Sequence, residues 1–143
     1  MKKTSILTIL ILAVFFTRAQ RFFYVESNPV TNRILYGGLL KGNQFVSNSP
    51  LGSDYIIKTD VGVQTESNSL LLKITLQDSI TLKMIFQSSE EYGIDLRSKS
   101  SRLYLRMLVQ TFIEKNIGQI IVSAKNDHYD GQAKFLKARK DKT

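Results

Sequence analysis

Ser53–Val63 (SDYIIKTDVGV), Leu70–Leu76 (LLLKITL) and Ile80–Phe86 (ITLKMIF) are the stretches whose reading decides the fold. Each alternates. In the first, Tyr55, Ile57, Thr59 and Val61 share one face, while Asp54, Lys58 and Asp60 share the other. In the second, Leu70, Leu72, Ile74 and Leu76 point one way; in the third, Ile80, Leu82, Met84 and Phe86 do so. A period of two with one apolar face is the signature of a half-buried antiparallel sheet. Gln77-Asp78-Ser79 supplies a short turn between the last two strands.

Working outward, Arg21–Glu26 (RFFYVE) is aromatic and β-branched and reads as a first strand. Asn28-Pro29 pairs an N-cap residue with a proline at the first helical position. A helix over Val30–Leu40 would end at Gly42, although Gly37 and Gly38 each cost about 1 kcal/mol inside it. The rival is a hairpin, Arg33–Leu39 against Gln44–Ser47, turning at Lys41-Gly42-Asn43, and the sequence leaves both open. Downstream, Ser98, Ser100 and Ser101 precede a helix from Arg102 to Ile117, with Gly118 placed as its C′ residue. That helix is apolar nearly all round; only Arg102, Arg106, Gln110 and Glu114 form a polar seam. Either it lies in a groove of the sheet under covering loops, or residues 102–117 form a subunit interface. Gln119–Ala124 (QIIVSA) reads as a final central strand, and residues 125–143 as a basic, flexible tail. The expected order is β-α-β-β-β-α-β, an α+β domain with helices on one face of a small, mostly antiparallel sheet.

The chain of 143 residues has room for one domain. Its first residues have the order of an export signal: Lys2 and Lys3, an apolar run from Ser5 to Phe16, then Thr17-Arg18-Ala19. The apolar run is shorter than the roughly 20 residues that span a bilayer as a helix. Cleavage after Ala19 gives a division into 1–19, 20–124 and 125–143, and the mature chain is expected to be periplasmic or secreted and not transmembrane. The competing reading is an uncleaved membrane anchor. Cysteine is absent, which excludes disulfides, thiolate chemistry and acylation at a cysteine after the leader. The net charge of +8 falls to +5 on cleavage, because three of the 20 basic residues and none of the 12 acidic ones leave. Residues 125–143 carry +3 of that remainder, so the body is only weakly basic and nucleic acid is not an expected partner.

The stretch Ser53-Asp54-Tyr55-Ile56-Ile57-Lys58-Thr59, the hairpin Leu71–Asp78 with Thr81–Phe86, and the helix that follows resemble a periplasmic α/β domain. That domain is found in the amino-terminal domain of TolB, in the curli secretion lipoprotein, and in outer-membrane lipoprotein activators of peptidoglycan synthases. Asp54-Tyr55 and Asp78 match its pattern, whereas Ser53 replaces an alanine and Thr59 stands where a glycine is usual. The resemblance implies a non-enzymatic module that binds other envelope components, and it transfers no functional residue.

No catalytic residue, metal ligand or cofactor is assigned from the residues themselves. His128 is the one histidine and lies in a polar segment, and no serine sits in a G-x-S-x-G elbow. Glu90-Glu91 read as a solvated strand-to-helix loop. Asn126-x-His128-x-Asp130-Gly131 has the opening spacing of a calcium loop, but Lys137 occupies the twelfth position, where a bidentate glutamate is required. Matching the core faces of the three strands would align Ile57 with Ile74 and Ile74 with Leu82. That register sets Lys58, Lys73 and Lys83 in a row on the outward face, a candidate site for an anionic partner. The tail, with Lys134, Lys137, Arg139, Lys140 and Lys142 around Phe135 and Leu136, could touch an anionic surface as an amphipathic segment. Two function classes follow: an exported envelope module binding a protein or an anionic polymer, and a small secreted enzyme working through carboxylates. A cleft collecting two buried acids would mark the second.

Overall fold

A computed structural model describes residues 21–95 and 101–140. The expected leader over 1–19 and the serines at 98 and 100 lie outside them. Seven elements follow one another: β1 (Phe22–Glu26), α1 (Pro29–Lys41), β2 (Phe45–Ser47), β3 (Tyr55–Gln64), β4 (Ser69–Asp78), β5 (Met84–Gly93) and α2 (Ser101–Lys140). The strands form one mixed sheet in the order β2-β1-β3-β4-β5. β1 runs parallel to both β2 and β3, and β3-β4-β5 is an antiparallel meander. Two helices and a five-stranded sheet make this an α+β fold, and both helices contribute to one core.

The helix at Asn28-Pro29 forms and the rival hairpin does not: Arg33–Leu39 is helical, and Phe45–Ser47 is a strand that pairs in parallel with β1 instead. Asn28 caps α1: its Oδ1 accepts from the backbone N–H of Val30 at 3.1 Å and of Thr31 at 3.0 Å. Thr31, Leu35 and Leu39, spaced four apart, are buried on one face. Gly38 is tolerated because it faces α2. A Cβ at Gly38 would lie 3.1 Å from Ile117 Cγ1, and one at Gly42, just past the helix end, 2.6 Å from Ile121 Cδ1. The missing side chains let the two helices approach closely. A Cβ at Gly37 would meet nothing within 4 Å.

The largest departure from expectation is at 119–124. Gln119–Ala124 is not a strand, and the helix does not stop at Gly118; α2 runs unbroken over 40 residues, about 60 Å at 1.5 Å per residue. Its buried residues explain why. Val109, Phe112, Ile113, Asn116, Ile120 and Ala124 are buried, with Ile117 and Ile121 packed against the same core. Spacings of three and four persist through Gly118, so one stripe continues across it. Gly118 and Gly131 both lie exposed, away from that stripe. Residues 125–140, read from sequence as a tail, continue the same helix, and the calcium-loop spacing at 126–131 is helical too. Tyr55 pins the helix to β3, its hydroxyl donating to the Ala124 carbonyl at 2.9 Å.

The strand expected at Ile80–Phe86 is also displaced. Asp78 Oδ1 accepts from the N–H groups of Ile80 and Thr81 and from the Thr81 hydroxyl, at 3.0, 2.7 and 2.9 Å. This aspartate-organised loop carries residues 79–83, with Leu82 at a φ of 56°. Ile80 and Leu82 are left exposed at the hairpin tip. β5 therefore begins at Met84, with an irregularity opposite Leu76/Gln77, and runs through Glu90-Glu91, which are strand residues and not a loop. Phe86, Ser88, Glu90 and Tyr92 alternate towards the helices. Glu90 accepts from Lys115 Nζ at 2.6 Å and from the Tyr92 hydroxyl, tying the edge strand to α2. The Lys115 hydrogen bond, then that of Tyr92, holds the Glu90 carboxyl below its usual range.

Two predictions follow from the helix contacts. Gly37→Ala should raise stability by about 0.5–1 kcal/mol through helix propensity, whereas Gly38→Leu should lower the melting temperature by forcing α1 off Ile117; thermal unfolding of both variants reads the pair. Burial pushes the Tyr55 hydroxyl up to about 12, with the Asp127 charge adding to it. The unfolded chain ionises this group near pH 10, so its contribution is complete below that pH. It is lost as pH rises towards 12. Tyr55→Phe should cost about 1 kcal/mol at neutral pH and flatten the fall of the melting temperature between pH 10 and 12, which a pH series of melts would show.

Candidate functional site

The three lysines expected to form a row are separated by the register actually adopted. Ile57 pairs with Leu76 and Thr59 with Ile74, two residues from the alignment expected, and Ile74 pairs with Ser88. Lys58 is opposite Thr75 on one side and Glu26 on the other, and its Nζ lies 3.1 Å from the Glu26 carboxylate. Lys73 is opposite Asp60 and Ser89. Lys83 lies in the hairpin loop, 3.6 Å from Asp127 on α2. Cross-strand neighbours of opposite sign replace the like-charged row, the usual arrangement on a solvated sheet face. The five-residue loop that Asp78 builds in place of a three-residue turn moves the β4–β5 register, and the four-residue turn 65–68 between Gln64 and Ser69 sets the β3–β4 register.

The structure instead offers a cleft on the helix side. Its volume is about 820 Å³, within the roughly 300–1,000 Å³ of small-molecule sites. It opens between the first turns of α1 and the early part of α2. Val61 of β3 and Val109 of α2 line it, and Val30, Ile34 and Leu105 give it apolar walls. Thr31, which also lines it, accepts from the Thr59 hydroxyl at 3.1 Å. The cleft exists because α2 is longer than the core it covers. The helix buries Val109 onward, while Leu103, Tyr104 and Met107 near its start remain exposed. Of the wide apolar face read over 102–117, the core therefore leaves Leu103, Tyr104 and Met107 unused.

The electrostatics of the cleft are one-sided. Arg33 of α1 and Arg106 of α2 both line it, and none of its lining residues is Asp or Glu. Both arginines are exposed, and among the described residues neither is in an ion pair. The neutral polar side chains around the cleft already have partners. Asn28 caps α1, the Thr31 hydroxyl donates to the Asn28 carbonyl at 3.1 Å, and Gln110 Nε2 donates to Glu114 at 2.9 Å. Pro29 contributes no N–H. Such a site can take up apolar surface and hold an anion at its rim. Among the described residues no group of three or more His, Asp or Glu is placed to hold a metal ion, and no helix is long and apolar enough to cross a membrane. Arg33 and Arg106 were not singled out from sequence. A visible signal was their position, each next to apolar residues at a helix start, but nothing linear showed that the two starts meet.

No protein-family model matches the chain, and no curated protein matches it in sequence. Solved structures do share its architecture. Protein XCC0632 from Xanthomonas campestris, of family DUF330, superposes with a TM-score of 0.55 at 10% identity, over 77% of this chain and 88% of its own. This likeness establishes the α+β fold. Two further similar structures are a minor lipoprotein from Acinetobacter baumannii and a PelC dodecamer from Paraburkholderia phytofirmans. The first has a TM-score of 0.45 at 14% identity, covering 76% of this chain and 96% of that one. The second has a TM-score of 0.46 at 13% identity, covering 73% and 88%.

Proposed function

We propose that the chain is an exported, non-catalytic binding module of the cell envelope, and that its binding site is the cleft between α1 and α2. The leader at 1–19 supports export, with cleavage after Ala19. The observation that carries the binding site is the cleft itself: apolar walls and two arginines that form no ion pair among the described residues, with no carboxylate in its lining. Water wets such a surface poorly, and burying it against a partner is favourable at about 25 cal/mol per Å² of apolar area. The exposed Leu103, Tyr104 and Met107 beside it extend the surface available to a partner. The resemblance of Ser53–Thr59 and the Asp78 hairpin to the envelope domain of TolB, the curli secretion lipoprotein and the peptidoglycan-synthase activators supports the same class of role.

Lys58, Lys73 and Lys83 take no part in this reading, since two of them are engaged by carboxylates and the third faces Asp60 across the ladder.

In vivo photocrosslinking tests the proposal. A benzophenone amino acid replacing Gln110, in the cleft, should give a discrete adduct in native envelopes, and one replacing Gln87, on the exposed sheet face, should not. Adding Leu105→Glu should remove the Gln110 adduct. Adducts only from Gln87, or a Gln110 adduct indifferent to Leu105→Glu, would overturn the assignment of the cleft.

A further inference from the structure

The chemistry of the cleft narrows its occupant, on the premise that the cleft is the binding site. Apart from Arg33 and Arg106, the polar side chains lining it are already hydrogen-bonded within α1 or α2. An extended peptide laid across Val30, Ile34, Val61 and Leu105 would bury backbone amide groups against apolar side chains, at a cost of about 1–3 kcal/mol for each left unpaired. A hydrocarbon chain has no such groups. The two guanidiniums at the rim, with no acid in the lining, call for one negative charge at the end of that chain. A dry cavity of roughly 150 Å³ holds a six-carbon ring, so about 820 Å³ accommodates one long acyl chain. We infer that the cleft binds a single-chain anionic amphiphile, a long-chain fatty acid, with its hydrocarbon between Val61, Val109 and Leu105 and its carboxylate at Arg33 and Arg106.

In this arrangement the carboxylate accepts charge-assisted hydrogen bonds from the guanidiniums at the solvent boundary, where its desolvation is slight. The acyl chain covers Val61 and Val30, which the core leaves exposed. Selectivity arises from charge, because a neutral ester of the same chain keeps the apolar contacts and loses the head-group bonds. A cationic amphiphile is repelled by both arginines.

The test uses the full chain, stripped of lipid, and the fluorescence of cis-parinaric acid against that of its methyl ester. The acid should bind saturably at one per chain and the ester about tenfold more weakly, the loss expected for a charged hydrogen-bonded head. Arg33→Gln with Arg106→Gln should bring the acid down to the affinity of the ester. Because both residues are exposed and without an ion pair, the circular dichroism and melting temperature of this variant should match the parent, which separates lost binding from lost folding. Equal binding of acid and ester, or acid binding that survives the double substitution, overturns the fatty acid. If neither ligand binds while the Gln110 photocrosslinker still gives a protein adduct, the cleft is a docking site for an amphipathic protein segment and this inference fails alone. If no adduct forms either, the binding-module reading fails with it.

Discussion

The close approach of α1 to α2 governs the rest of the molecule. Gly38 and Gly42 leave a side-chain-free strip along one flank of α1, and Ile117 and Ile121 of α2 fill it. With the helices held at that contact, α2 lies along the sheet with Val109, Phe112, Ile113, Ile120 and Ala124 on the core. The Tyr55 hydroxyl fixes the helix axially by its bond to the Ala124 carbonyl, and Lys115–Glu90 ties it to the edge strand. The contacts of Ile120, Ile121 and Ala124 require α2 to pass through residue 118 without a break. The continuous helix in turn leaves its early turns beyond the core, and the gap between those turns and the start of α1 is the cleft.

How much of this was legible in the chain depended on where the deciding interaction was local. The Asn28 cap, Pro29 and the alternation of Tyr55–Val61 and Leu70–Leu76 are local, and they appear where the sequence places them. QIIVSA misled because a short apolar run fits a buried strand as well as a helical stripe. Reading the stripe from Val109 onward, with steps of three and four reaching Ala124, distinguishes them. β5 was hidden for a different reason. Its polar run Gln87–Glu91 takes its conformation from the ladder with β4, not from its own propensity. The lysine row failed at two turns: residues 65–68 set a β3–β4 register that puts Lys58 opposite Thr75, and Asp78 organises a loop longer than three residues that moves β5 and leaves Lys83 outside the ladder.

The candidate site lay furthest from the sequence. Arg33 and Arg106 are 73 positions apart, and the feature that makes them notable is negative, the lack of a carboxylate in the cleft that both line. Charge composition pointed instead to the strands, where lysines are numerous but are balanced by Glu26, Asp60 and Asp127. Total charge therefore says less about a binding surface here than local imbalance does. The arginines also sit beside apolar walls, and it is that combination which separates the cleft from an ordinary solvated face.

The central claim is that residues 101–140 form one uninterrupted helix, since the packing of Ile120, Ile121 and Ala124 rests on it. The most direct measurement is the distance between spin labels at positions 102 and 125 by double electron–electron resonance. A continuous helix separates these positions by about 35 Å at 1.5 Å per residue, and a narrow distribution near that value is the predicted result. A helix ending at Gly118 and followed by a strand returning to the sheet would bring the labels well inside about 25 Å, and that result would contradict the account.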